Sequence, residues 1–375
     1  MIESRSDTPV RVLHVFSFFD QGGIENFVMN VYRKMDRTKV QFDFAFPVNQ
    51  KGYFDDEVIS MGGRIFFFDS EKIGMLNFYR NLKRIISENG PYVAIHSHLY
   101  YFSGYILWVA KRCGIKIRIS HSHETSKGRK ETFIRKTYEN VMRRMIKRNA
   151  THWLSCSDAA GRFVFCPGTP YQVLYNGIDL ERFRFNEKSR NRIRKELGME
   201  DSFIVLNVGR FAHQKNHPFI ISLFNELLKK KDNARLLLIG TGDYREMVEN
   251  RCKELGISDK VTILYNIQNT EEYYDAADAF ILPSHYEGMS IVSVEAQSTG
   301  LPTLISDKVT REVGVTDLAK YLPIDGTEQL WADELYNISL QTVNREEYMS
   351  KFISTPFNVD VTVRDLINIY TSQNA

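Results

Sequence analysis

AFILPSHYEGMSIVSVEAQSTGLPTLIS, residues 279–306, decides the fold. It opens with an apolar run of strand length, AFILPS (279–284). A polar turn with Glu287 and Gly288 follows, and from it a helical pattern runs through Glu295 to Ser298. Gly300 and Pro302 stop that helix in the order expected of a helix end. PTLIS at 302–306 then begins another strand. Apolar strands separated by helical segments belong to a parallel sheet covered on both faces.

The same alternation extends in both directions. FIVLNVG (203–209), ARLLLIG (234–240) and KVTILY (260–265) precede the opening stretch. Further upstream come VRVLHVF (10–16), QFDFAFP (41–47), RIFFF (64–68), VAIHSH (93–98), IRISHSH (117–123), HWLSCS (152–157) and QVLYNG (172–177), with a helix expected from about Ile24 to Met35. A polar, basic run at 180–202 interrupts the pattern, with one helix from Glu187 to Leu197 ended by Gly198. The expected organisation is therefore α/β with two Rossmann-like doubly wound domains, 1–184 and 185–358, and a last helix in 359–375 that packs back on the first domain. Two such sheets predict a ligand in a cleft between their carboxyl ends.

The chain has 375 residues, 43% hydrophobic and 25% charged, with a net charge of +3. That is ample for two soluble domains and implies no polyelectrolyte partner such as nucleic acid. Asp7 and Pro9 break the N-terminal stretch, so no secretory leader is expected. No run approaches the roughly 18 apolar residues that span a bilayer. Cys113, Cys156, Cys166 and Cys252 form no C-x-x-C pair, which suits reduced thiols in a cytoplasmic protein; a structural disulfide is the minority reading.

Three loops carry candidate chemistry. Gly22-Gly23 sits between the first strand and its helix, where free N–H groups meet anions, or serves simply as a turn. GRFAHQKN (209–216) places Arg210 and Lys215 at a strand's carboxyl end, suited to a diphosphate or to a solvated surface. In the opening stretch, Gly288, Met289, Ser290 and Ile291 would present N–H groups to phosphate, with Glu287 and Glu295 placed to accept hydrogen bonds from sugar hydroxyls. The alternative there is charge compensation of a helix start by Glu287 and a solvent-facing Glu295.

Together these stretches resemble retaining glycosyltransferases of the two-Rossmann-domain GT-B type, in glycosyltransferase family 4. The similarity lies in GGIEN (22–26), YNGID (175–179), GRFAHQKN, LLLIGTGDYREMV (236–248), EGMSIVSVE (287–295) with its E-x7-E spacing, and Gly300-Leu301-Pro302. It spans nearly the whole chain. The resemblance implies that Arg210 and Lys215 hold the donor diphosphate and stabilise the leaving group. It also implies that Glu287 binds the transferred sugar, Glu295 the ribose, and the turn at Asn266 and Ile267 the base. No metal and no cofactor are expected, and the donor is a nucleotide-sugar, taken as a UDP-sugar. Many relatives have Pro where this chain has Ser290.

His96 and His98 end one strand, and His121 and His123 another; alternation puts each pair on one side. Related enzymes have a cleft histidine near the first pair, so His98 and then His121 are the candidates for sugar or acceptor contact. Zinc binding and a purely structural role remain alternatives. Residues 127–148 hold nine Lys or Arg against two Glu. On a helix over 130–148, Ile134, Tyr138, Val141 and Met145 share one face opposite the charges. That helix fits either core packing or docking on an anionic membrane, the latter suiting a lipid-linked acceptor at the inner face of the plasma membrane. The expected activity is hexosyl transfer to a surface polysaccharide or related glycoconjugate. A nucleotide-sugar epimerase and a non-catalytic relative of the same fold are the alternatives.

Overall fold

The structure, a computed structural model, describes residues 8–19, 22–68, 74–123 and 132–372. It divides into two compact units, Met1–Gly177 with Val359–Ala375, and Ile178–Asn358.

The first unit is built on seven parallel strands: β1 (Val10–Val15), β2 (Val40–Phe46), β3 (Arg64–Phe67), β4 (Ala94–Ser97), β5 (Ile117–Ser122), β6 (His152–Ser155) and β7 (Gln172–Val173). Their order is β3-β2-β1-β4-β5-β6-β7. The helix Gly23–Lys34 and the C-terminal helix Val359–Thr371 cover one face, through Phe27, Val28, Val31, Val363, Leu366 and Tyr370. Phe78, Leu82, Ile106, Met142 and Ile146 come from helices on the other face.

The second unit repeats the plan with six parallel strands: β8 (Phe203–Val208), β9 (Ala234–Ile239), β10 (Val261–Leu264), β11 (Ala279–Leu282), β12 (Thr303–Ser306) and β13 (Ala319–Leu322). Their order is β10-β9-β8-β11-β12-β13. In both sheets the winding reverses between two central neighbours, β1 and β4 in the first and β8 and β11 in the second. That reversal leaves a crevice at the carboxyl ends of the two strands, the usual ligand position in such sheets.

Three details depart from the sequence reading. The units divide at Gly177 and Ile178 rather than near residue 185, because the Ile178 N–H already bonds Phe357 O at 2.8 Å and Ile178 bridges Asn358. The chain thus enters and leaves the second unit at one place. Strand β13 has no counterpart among the expected strands, since AKYL is short and mixed, as suits an edge strand. The helix after β11 begins at Ile291, leaving Glu287 to Met289 as a loop ahead of it.

Candidate functional site

In the second unit, the loops after β8 and β11 bring Arg210, Lys215 and Glu287 to the reversal point. The β8 loop is pinned from the side by β9 and its extension. Gly209 N–H bonds Ile239 O at 2.9 Å, Phe211 N–H bonds Thr241 O at 2.8 Å, and Tyr244 N–H bonds Phe211 O at 3.0 Å. This close approach needs Gly240, where a Cβ would lie 1.9 Å from Gly209 O at a φ of +156°. At Gly209 itself a Cβ would come within 2.9 Å of Lys215 Cε, so the bare glycine gives the lysine stem its path. The loop then tightens into a single turn, His213–Lys215, before the helix His217–Leu228.

Lys215 Nζ meets Glu287 Oε1 at 2.6 Å, with the two side chains only 13% and 9% exposed. Ser284 Oγ donates to the same oxygen at 2.9 Å, and Gln214 Nε2 donates to Glu287 Oε2 at 3.1 Å and to Tyr286 O at 3.0 Å. Glu287 is therefore fixed from both oxygens, and its lysine partner is fixed with it. Arg210 is exposed and makes no ion pair among the described residues. Its guanidinium remains available to an anion.

Beyond Glu287, the helix Ile291–Ser298 starts without a side-chain cap. Its first-turn N–H groups have no partner within the helix. The Ser290 Oγ at that end is buried and has no hydrogen-bond partner among the described residues. A phosphate would satisfy both. Further along, Glu295 accepts a 2.9 Å hydrogen bond from the Tyr274 hydroxyl. Burial raises its carboxyl to about 7, opposed by that hydrogen bond and by the charge of Arg182. Arg182 itself is held by Glu271 at 2.7 Å and by Gln268 O at 2.6 Å. Asn266 and Ile267 form the turn after β10, where Asn266 takes a left-handed φ of 55° and is exposed.

The remaining candidates fall in the first unit. Gly23 is the exposed first residue of the helix Gly23–Lys34, which also lacks a side-chain cap. His98 and His121 belong to a cluster of five imidazoles. Parallel register sets His14 beside His96, and His96 beside Ile119, so the next inward positions, His98 and His121, line up as well. Two hydrogen-bonded chains result. In one, His14 Nδ1 meets His98 Nε2 at 3.2 Å and His98 Nδ1 meets His123 Nε2 at 2.9 Å. In the other, the Tyr370 hydroxyl meets His96 Nδ1 at 2.7 Å and His96 Nε2 meets His121 Nδ1 at 3.1 Å. Burial lowers all five imidazoles, His14 and His123 to about 3, so they are uncharged at neutral pH. Both ring nitrogens of His98 are engaged within the cluster.

Sequence reasoning missed several members of these assemblies. His14 stands at an inward position of β1 among apolar residues, a signal the alternation contained. Gln214, Ser284 and Tyr274 carried no motif of their own; only the packing reveals them.

In the helix Phe133–Asn149, Met142 and Ile146 are buried, while Phe133 and Ile134 are 86% and 82% exposed and Val141 is exposed too. At 100° per residue the exposed face interleaves these with Lys136, Arg144, Lys147 and Arg148. Ile134, Tyr138 and Val141 do share one face, as expected, but they are exposed there, next to Arg144 and Arg148, and do not pack into the core. Arg143 is not part of it; its guanidinium bonds the Tyr101 hydroxyl at 2.7 Å and Phe163 O at 2.6 Å. Residues 127–131 of the basic stretch lie outside the described residues. No helix among the described residues is long and apolar enough to cross a membrane.

Comparison with known proteins adds the following. Residues 189–336 match the family model for glycosyl transferases group 1, and residues 21–182 match that for Glycosyltransferase Family 4. The protein named "Putative glycosyltransferase EpsF" of Bacillus subtilis (strain 168) is 34% identical over 96% of each chain. The capsular polysaccharide biosynthesis glycosyltransferase CapH of Staphylococcus aureus is 26% identical over 97% of this chain and 99% of its own. Among solved structures, Anabaena HepE in complex with UDP superposes with a TM-score of 0.80 at 16% identity, covering 97% of this chain and 100% of that one. The same protein has been solved with UDP-glucose, at a TM-score of 0.78.

Proposed function

Since the chain belongs to the group 1, family 4 glycosyltransferases and has the two parallel-sheet units of the GT-B fold, we propose that it moves a hexose, with retained configuration, from a UDP-sugar to a saccharide or lipid-linked saccharide during surface polysaccharide synthesis. The observation that carries the donor assignment is the Lys215–Glu287 pair beside exposed Arg210 at the β8–β11 reversal. Arg210 and Lys215 neutralise the diphosphate and stabilise the departing nucleotide, so the diphosphate needs no bound metal. The N–H groups from Gly288 to Ile291 and the unpaired Ser290 hydroxyl take phosphate oxygens. Glu287, held rigidly by Lys215, Ser284 and Gln214, accepts from hexose hydroxyls. Glu295 accepts from the ribose, and the turn at Asn266 and Ile267 borders the base.

We place the acceptor at the carboxyl ends of the strands of the first unit, where exposed Gly23 opens the helix Gly23–Lys34. The basic, apolar face of the helix Phe133–Asn149 suits the anionic surface of the plasma membrane's inner leaflet, which places a cytoplasmic enzyme next to a lipid-linked acceptor. The test is a screen of UDP-hexoses for transfer or slow hydrolysis, with the anomeric configuration of the first-formed product read by NMR. Retention is expected, with activity lowered at least 100-fold in Arg210→Ala. Inversion, or full activity without Arg210, would overturn the reading.

A further inference from the structure

The histidine cluster of the first unit has a chemistry of its own. A neutral imidazole has one N–H and one lone pair, so a chain of such rings ends in nitrogens it cannot pair internally. Here His14 Nε2, His121 Nε2 and His123 Nδ1 are buried and without a hydrogen-bond partner among the described residues. A buried polar atom left unpaired is costly. The neighbouring rings are Phe16, Phe27, Phe42 and Phe44, which offer no lone pair or carboxylate. Of the three, His121 Nε2 is the one that a group bound between His98 Nδ1 and His123 Nε2 would take up.

We propose that His98, His121 and His123 bind one divalent transition-metal ion of the imidazole-preferring class, represented by Zn2+. The ligand nitrogens these three rings offer lie within 4.8 Å of one another. His98 Nδ1 and His123 Nε2 are already 2.9 Å apart. Nitrogens bound to a tetrahedral ion at about 2.0–2.1 Å are about 3.3 Å apart, so this pair already lies near ligand spacing. The far nitrogens of two ligands are held in the required way. His98 Nε2 faces His14 Nδ1, and His121 Nδ1 faces His96 Nε2, which is in turn fixed by the Tyr370 hydroxyl. Such outer hydrogen bonds set the ring orientation and tautomer of metal-binding histidines. With His98 and His121 donating outward, their inner nitrogens present lone pairs to the ion without net loss of a proton.

A second triad, His14, His96 and His98, also converges within 4.8 Å, but all three are buried, whereas His123 is partly exposed and offers a way in. His98 belongs to both triads, so one ion per chain is the expected stoichiometry. Tyr370 lies on the C-terminal helix, so the ion also ties that helix to β4 and β5. The site is built from other residues than the donor loops, and the inference stands whatever the donor is.

The test uses the full chain without a polyhistidine tag, stripped with EDTA. Zn2+ is titrated by calorimetry, and Co2+ is added separately for its visible absorption. One saturable Zn2+ per chain and an intense Co2+ spectrum of four-coordinate type are expected. His121→Gln with His123→Gln weakens Zn2+ at least tenfold, while His285→Gln, at the stacked His213–His285 pair of the second unit, leaves it unchanged. The Co2+ spectrum is taken on the unaltered protein and so holds even if the double variant folds poorly. Absence of saturable uptake, a weak six-coordinate Co2+ spectrum, or uptake that depends on His285 would overturn the proposal.

Discussion

Glu295 should make the second unit less stable as pH rises, and Glu295→Gln should reverse this. The unfolded carboxyl titrates near 4.5 and the folded one near 7. Between these values the folded chain holds a proton that the unfolded chain has released. Stability is therefore full below about pH 4.5 and falls as pH rises towards 7, with no further loss above it. At about 1.36 kcal/mol per pH unit across that window, the ceiling is about 3.4 kcal/mol. The side chain keeps some solvent contact, which reduces the expected cost to about 2 kcal/mol. Glutamine keeps an oxygen to accept from Tyr274 and carries no charge to desolvate. The assay is urea unfolding at pH 5 and pH 8 in a Trp108→Phe, Trp153→Phe background, where buried Trp331 reports the second unit alone. Glu295→Gln should be near neutral at pH 5 and about 2 kcal/mol more stable than its parent at pH 8, while binding the donor more weakly. Equal differences at the two pH values would refute the burial argument.

Other outcomes follow from the same contacts. In a double-mutant cycle, Lys215→Met and Glu287→Gln should each destabilise the second unit, with a coupling of about 1–2 kcal/mol by urea unfolding; a value near zero would mean that the pair is an unlinked surface contact. Gly240→Ala sets a methyl against Gly209 O, so it should cost at least about 2 kcal/mol and weaken donor binding through the displaced Arg210 loop, read by thermal melting and calorimetry. Reversing charge at Lys136, Arg144, Lys147 and Arg148 should lower co-sedimentation with anionic vesicles at least tenfold while donor hydrolysis stays intact; unchanged sedimentation would remove the membrane role.

Much of the architecture was legible because buried parallel strands are nearly continuous apolar runs. AFIL, ARLLLI and FIVLNV needed no long-range information to be recognised. The edge strand AKYL did, because it is short, carries an exposed Lys320, and is defined by its pairing with β12. The unit boundary was displaced for a related reason. The composition changes at 180, but the fold changes where Ile178 meets Asn358, a contact between residues far apart in the chain. In the loops after β8 and β11 the charged residues were visible as motifs, whereas their supports were not. Ser284 and Gln214 are ordinary in sequence and matter only because two loops after β8 and β11 meet. The histidines were visible as two pairs. Their union with His14 and Tyr370 depends on strand register and on the return of the C-terminal helix.

The central claim is that the β8–β11 reversal binds a nucleoside diphosphate-sugar through fixed cations. Calorimetric titration of UDP-glucose and UDP-galactose into the full chain in EDTA tests it most directly, alongside Arg210→Ala, Lys215→Ala. The account predicts saturable one-to-one binding of at least one donor without added metal, weakened at least 30-fold, about 2 kcal/mol, in the double variant. Binding that persists undiminished without Arg210 and Lys215 would contradict it.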